Sequence, residues 1–204
     1  MRRKVRGSLF IVSAPSGAGK TTLCQKLTGL LPGIRQSVSF TTRPPRRGEV
    51  NDRDYTFVSE DKFRKLIADG EFLEWAKVHG NLYGTSGRRL EELRNEGNDA
   101  ILDIDIEGAR QVRAVDRNGV YIFILPPSLS VLKARLDSRR SDAQEEIELR
   151  MKRAKEEIME YKKYDYVIVN DVFDDALEEL KAIVIAERLR ADRVTPEWVR
   201  DIMQ

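Results

Sequence analysis

Cysteine and histidine are nearly absent from this 204-residue sequence, with Cys24 and His79 as the single representative of each. One cysteine rules out an internal disulfide and points to a reducing compartment. One histidine rules out a His-based metal cluster and a Ser-His-Asp relay. Cys24, inside a helical pattern, reads as a small core residue, and His79, beside Gly80-Asn81, as a surface or structural side chain. Long apolar runs are missing too. No stretch approaches the ~20 residues that span a bilayer. The basic start (Arg2, Arg3, Lys4, Arg6) is followed by only about four apolar residues, too few for a secretory signal. The expectation is a cytoplasmic protein without a membrane partner. Charge of one sign is also missing: 36 Lys and Arg face 34 Asp and Glu, a formal balance of +2. That argues against nucleic acid as a partner and leaves anion binding to local arginine clusters. The sequence has no internal repeat and no low-complexity segment. With 41% hydrophobic and 34% charged residues, it suits one α/β domain with a full core and room for a small insertion.

What is present is concentrated first in Ser13-Ala14-Pro15-Ser16-Gly17-Ala18-Gly19-Lys20-Thr21-Thr22. The apolar run Leu9-Phe10-Ile11-Val12 precedes it, and the helical pattern Leu23, Leu27, Leu30, Leu31 follows. Strand, Gly-rich turn and helix are the context of a phosphate-binding P-loop. The turn's N–H groups and the helix N-terminus make an anion site for a nucleotide. Lys20 would reach the outer phosphates, and the Thr21 hydroxyl would hold Mg²⁺. Ala14 stands where G-x-x-x-x-G-K-[ST] has its first glycine. A methyl group is tolerated there if φ is negative, and not if φ is positive.

Periodicity predicts strands over 8–13, 35–42, 55–58, 71–78, 100–105, 120–125 and 167–169. It predicts helices over 19–31, 60–68, 87–96, 107–115, 128–137, 144–161 and 174–190, with a short helix after Thr195-Pro196. Leu82 to Ser86 reads as a return toward the 87–96 helix. Strands near 10, 101, 122 and 167 alternate with helices, which predicts a parallel sheet whose ligands sit beyond the strands' carboxyl ends. The stretch 33–98, with short strands and short helices, reads as an excursion from that core.

Three further features carry chemistry. In the excursion, Ser39, Arg43, Arg46 and Tyr55 are followed by Glu74, Tyr83 and Thr85. Arginine forks with tyrosine hydroxyls suit a second phosphate group. A carboxylate such as Glu74 would accept from the N1–H and N2–H₂ edge of guanine, a donor pair that adenine lacks. Arg47 and Arg53 read as surface charge. Asp103 and Asp105 end an apolar strand, where an acid would coordinate Mg²⁺ directly or through water, contact an acceptor base, or cap the next helix. Arg135, Arg139 and Arg150 flank a polar break at 138–143 and suit closure over a transferring phosphoryl group. Lys152, Arg153 and Lys155, among Glu145, Glu146, Glu148, Glu156 and Glu157, read as a solvated helical face. No N-K-x-D motif appears, which argues against a P-loop GTPase.

The stretches SAPSGAGKTT, SVSFTTRPPRRGEVNDRDYTFV, GEFLEWAKVHGNLYGTS, ILDIDIEGARQV, IFILPPS and YDYVIVND, in this order across nearly the whole chain, resemble the guanylate kinase family. The resemblance implies one α/β domain over 1–204: a P-loop NTPase-type parallel β-sheet core flanked by helices (1–34, 99–126 and 163–204), a small mixed α/β GMP-binding subdomain (35–98) and a helical lid (127–162). It implies Mg²⁺-dependent transfer of a phosphoryl group from ATP to GMP, giving ADP and GDP, by a monomer or homodimer. Residues 14–22 and Asn170 would bind ATP. Ser39, Arg43, Arg46, Tyr55 and Tyr83 would bind the GMP phosphate, and Glu74, Thr85 and Asp105 the guanine. Lys20, Arg43 and the lid arginines Arg135, Arg139 and Arg150 would serve the transfer, with Thr21 and Asp103 at Mg²⁺. Ala14 for Gly, and Leu82 where an aromatic residue is common, are the departures; neither removes a group with a chemical role. A non-catalytic module that keeps the fold and binds a phosphorylated partner could dispense with Lys20 and the lid arginines, yet both are present.

Overall fold

The computed structural model describes residues 6–78, 80–137 and 144–203. His79, Arg139 and the break at 138–143 lie outside them. Five parallel strands form the main sheet: β1 (Leu9–Ser13), β2 (Ile34–Gln36), β7 (Asp99–Asp103), β8 (Val120–Leu125) and β9 (Tyr166–Val169). Their order is β2-β7-β1-β8-β9. The central strand β1 is buried along its whole length, and its run Leu9 to Val12 is apolar throughout, as a parallel strand covered on both faces requires. Phe10 and Val12 face one layer, with Leu23 and Leu27 of α1 (Lys20–Leu30) and Leu180 and Val184 of α7 (Phe173–Arg188). Leu9 and Ile11 face the other, with Ala109 and Val112 of α4 (Ile106–Val115) and Leu90 of α3 (Gly87–Asn95).

A second, four-stranded sheet lies between β2 and β7 in the chain. It consists of β3 (Phe40–Thr41), β4 (Thr56–Phe57), β5 (Phe72–Val78) and β6 (Asn81–Ser86), in the order β4-β3-β6-β5. The helix α2 (Glu60–Ala68), capped by the Ser59 hydroxyl, covers it, and Phe63 stacks on Phe72 at 4.5 Å between ring centroids.

Three expectations need correction. The strand expected over 35–42 is two strands in two sheets: β2 pairs with β7, and β3 pairs with β4 and β6. The main sheet therefore has a fifth strand at its edge. Residues 82–86 do not merely lead to a helix; they are β6, paired antiparallel with β5 from Val78↔Asn81 to Phe72↔Ser86. The strand expected to reach 105 ends at Asp103, because the Asp105 side chain turns to accept from the Gly108 N–H at 2.7 Å and starts α4.

Candidate active site

The P-loop is built from backbone geometry. Ala14 is buried in the core beneath the loop and is not among the positive-φ residues, so its methyl group meets the condition for replacing glycine. Gly17 and Gly19, at φ 95° and 93°, take the left-handed backbone that L side chains avoid. The Ala18 N–H closes the turn on the Pro15 carbonyl at 3.1 Å. Asn170, just beyond β9, is buried, and its Nδ2 donates to the Ala18 carbonyl at 2.7 Å. A Cβ on Gly19 would collide with that amide. Arg135, from α5 (Leu129–Asp137), donates through Nη2 to the Asn170 carbonyl at 3.0 Å. Asn170 and Arg135 thus brace the loop, with Leu132 and Leu136 against Gly17.

Lys20 pairs with the Asp103 carboxylate and donates to the Ile104 carbonyl at 2.7 Å. Asp103 is thereby held at the mouth of β7 beside the first turn of α1, where Thr21 and Thr22 are exposed. Cys24 is fully buried behind them. Burial pushes its thiol pKa up, Asp103 adds to the rise and Lys20 opposes it, so it remains a protonated core residue.

A cleft of about 380 Å³ opens over the loop, lined by residues 14–22, by Lys77 and Val78 of β5, by Asp105, and by Arg150, Arg153 and Glu157 of α6 (Gln144–Ile158). Arg150 lines the cleft. Lys152, Arg153 and Lys155 are exposed, in keeping with a solvated face, but Arg153 also lines the cleft together with the half-buried Glu157. Burial raises the Glu157 pKa, while Arg153 and the Ser16 N–H draw it back down. The spacing 150, 153, 157, three and then four residues, was the available signal that these side chains share a face.

At the second sheet, Arg43, Tyr55 and Tyr83 come together. Arg43 lies 5.4 Å from the Tyr55 ring centroid, and Tyr55 meets Tyr83 edge-on at 6.0 Å. Burial raises the Tyr55 pKa, keeping it a phenol donor. Glu49, which sequence reasoning did not single out, holds this cluster: it takes both arms of the Arg43 fork at 3.0 and 2.8 Å and accepts from the Arg46 N–H at 2.6 Å. The pair holds Arg43 above, and Glu49 below, its ordinary pKa. The Arg46 side chain is exposed, and Ser39 is half-buried at the entry to β3. Arg47 and Arg53 are exposed, Arg53 against Asp54 at 2.8 Å.

Glu74 and Thr85 face each other across β5 and β6. Both are buried, and the Thr85 hydroxyl donates to Glu74 Oε1 at 2.6 Å. Burial pushes the Glu74 carboxyl up to about 7, and the Asp105 charge adds to the rise; Thr85 and Lys20 oppose it. A Cβ on Gly108 would lie 2.6 Å from Glu74 Oε2 and 3.2 Å from Asp105 Oδ1. The missing side chain at Gly108 therefore lets two carboxylates gather at the first turn of α4. Asp105, which also lines the P-loop cleft, joins the two regions.

Residues 6–187 match the guanylate kinase family profile. The guanylate kinase of Geobacter metallireducens is 57% identical over 191 residues, covering 94% of this chain and 94% of that protein. That of Geobacter sulfurreducens is 56% identical over 191 residues, with the same coverage of each chain. Among solved structures, guanylate kinase from Anaplasma phagocytophilum superposes with a TM-score of 0.76 at 36% identity, covering 93% of this chain and 90% of that one. With the profile spanning most of its length and the fold in agreement, this chain belongs to the guanylate kinase family.

Proposed function

We propose that the protein transfers the γ-phosphoryl group of ATP to GMP, giving ADP and GDP, as a step of purine nucleotide metabolism and GMP recycling. The observation that carries this reading is the buried Glu74–Thr85 pair, which meets Asp105 at Gly108, a residue that also lines the cleft over the P-loop. In this reading ATP lies on residues 14–22, with Asn170 on the adenine side. The GMP phosphate meets Ser39, Arg43, Arg46, Tyr55 and Tyr83. The guanine edge donates to Glu74, with Thr85 and Asp105 beside it. Residues 35–98 act as the GMP-binding unit and 127–162 as the lid, around a core of 1–34, 99–126 and 163–204. The enzyme works in the cytoplasm as a monomer or homodimer, with small-molecule substrates and neither nucleic acid nor membrane as partner; no helix among the described residues is long and apolar enough to cross a membrane.

The protein's part is positioning and charge stabilisation. The GMP phosphate oxygen is the nucleophile, and it is already anionic near neutral pH, so no general base is required. Lys20 leaves Asp103 and the Ile104 carbonyl to follow the γ-phosphoryl group. Arg43 holds the acceptor phosphate in line, and Arg135, Arg139 and Arg150 neutralise charge as it moves. Closure excludes water and limits ATP hydrolysis. Among the described residues no group of three metal-ligating side chains occurs. The oxygen donors at hand, the Thr21 hydroxyl and the Asp103 carboxylate, fit a Mg²⁺ ion that arrives on the triphosphate and keeps several waters. Bound there, it would neutralise phosphate charge. A coupled assay for ADP release with GMP, AMP, UMP and CMP in parallel tests the reading: GMP alone should support rapid turnover, and equal rates with AMP would overturn it.

A further inference from the structure

We infer that Gln111 is a positioning residue for guanine recognition, fixing the strand that carries Glu74 against α4. The inference rests on the proposal that Glu74 reads the base. A single side-chain amide takes both backbone groups of Trp75: Gln111 Oε1 accepts from the Trp75 N–H at 3.1 Å, and its Nε2 donates to the Trp75 carbonyl at 2.9 Å. The amide thus acts as one residue of an extra strand. It does so where the sheet needs one, because β5 is an edge strand and its outward N–H and C=O groups have no neighbouring strand to pair with. The register of β5 with β6 also shifts between Phe72 and Glu74. An irregular edge is the kind of strand whose register is weakly specified by its partner alone.

The position of Gln111 on its helix gives this contact its consequence. Gln111 follows Gly108 by three residues, so both lie on the face of α4 turned toward β5. Gly108 supplies the space for Glu74 Oε2, and Gln111 grips the next residue along the strand. Oε1 is fixed by Thr85 within the second sheet; the distance of Oε2 from α4 and Asp105 is fixed by Gln111. Only an amide carries a donor and an acceptor at the same reach. These hydrogen bonds are partly exposed, with Trp75 at 40%. They therefore add little to overall stability, whereas small displacements of a recognition group are costly.

The test compares wild type with Gln111→Met, which removes both bonding atoms at similar volume, and Gln111→Glu, which keeps the acceptor and sets a carboxylate against the Trp75 carbonyl. Steady-state kinetics with GMP, with inosine monophosphate (which lacks the exocyclic amino group) and with ATP are measured beside melting temperatures, with Glu74→Gln in parallel. The expected result for both Gln111 variants is a rise in KM for GMP of about threefold to tenfold, the scale of one or two lost hydrogen bonds. The preference for GMP over inosine monophosphate should fall by a similar factor, with kcat and KM for ATP nearly unchanged. If Glu74→Gln abolishes that preference and the Gln111 variants keep it, Gln111 does not position Glu74. If KM for ATP rises in step with KM for GMP, the contact is structural only and the inference fails. If Glu74→Gln itself keeps the preference, guanine reading by Glu74 fails and this inference fails with it. Should Gln111→Met not fold, Gln111→Glu alone decides the outcome.

Discussion

The P-loop and the second sheet present their polar groups by opposite means. Around Gly17 and Gly19 the receiving groups are backbone N–H groups, aimed by two left-handed glycines and braced from behind by Asn170 and α5. Around Arg43 and Glu74 the polar groups are side chains, one on the loop after β3 and one on β5, each held by another side chain: Arg43 by Glu49, Glu74 by Thr85. A backbone-built site depends on a few conformations and carries no titratable group of its own. A side-chain-built site can discriminate between bases, but its charge state becomes a function of pH and its aim depends on packing. One half of the cleft is suited to a triphosphate common to many reactions, the other to a single base.

That contrast can be broken at graded strength. Lys20→Ala should have the largest effect, lowering kcat about 10²–10³-fold, the scale of one lost transition-state donor, while KM for GMP stays within a few fold. Near-normal turnover in steady-state assays would remove Lys20 from the transfer. Glu74→Gln should cost ~1–3 kcal/mol of discrimination for GMP over AMP, as for a lost bidentate base contact, measured as the ratio of kcat/KM values. The same change should alter stability with a defined sign. Because the folded carboxyl titrates near 7 rather than 4.5, the folded protein keeps a proton that the unfolded chain has lost between those pH values. Wild-type stability therefore falls as pH rises through that window. Glu74→Gln should recover up to about 3 kcal/mol at pH 8 and little at pH 4, read from denaturant melts. Gly19→Ala should destabilise by about 1–3 kcal/mol, through positive φ and the Asn170 contact. Ala14→Gly, the smallest change, should stay within about 1 kcal/mol and leave KM for ATP unaltered. A larger effect of Ala14→Gly than of Gly19→Ala would mean that the loop is not held by its glycine conformations.

The same contrast explains what was legible in the sequence. The P-loop and the strands β1, β7 and β8 could be read because backbone demands and burial each leave a specific residue pattern, and β9 because Val167-Ile168-Val169 is an unbroken β-branched run even though Val167 and Val169 are exposed. β6 could not, because Gly84 interrupts it like a turn residue. In fact that glycine makes room for rings: a Cβ there would lie 2.9 Å from Phe72 and 3.0 Å from Phe63. β2 has three residues, too few for any period to emerge, and so the edge of the main sheet was merged with β3. Glu49 was hidden because its contacts with Arg43 and Arg46 are set by a proline-containing loop folding back on itself. Arg153 and Glu157 were hidden because a charged helix face looks alike whether it meets water or a phosphate-binding loop. The gathering of Glu74 and Asp105 at Gly108 depends on a contact between sheet and helix that no local pattern encodes.

The proposed guanine recognition turns most on Glu74, a buried carboxyl that would have to lose its proton to accept from guanine. The most direct measurement is the pH profile of kcat/KM for GMP in wild type and Glu74→Gln, at fixed saturating ATP. Wild type should lose about tenfold per pH unit below 7 from this group, added to the titration of the GMP phosphate near pH 6. Glu74→Gln should keep only the phosphate titration. Two profiles of the same shape, differing at most by a constant factor, would contradict it.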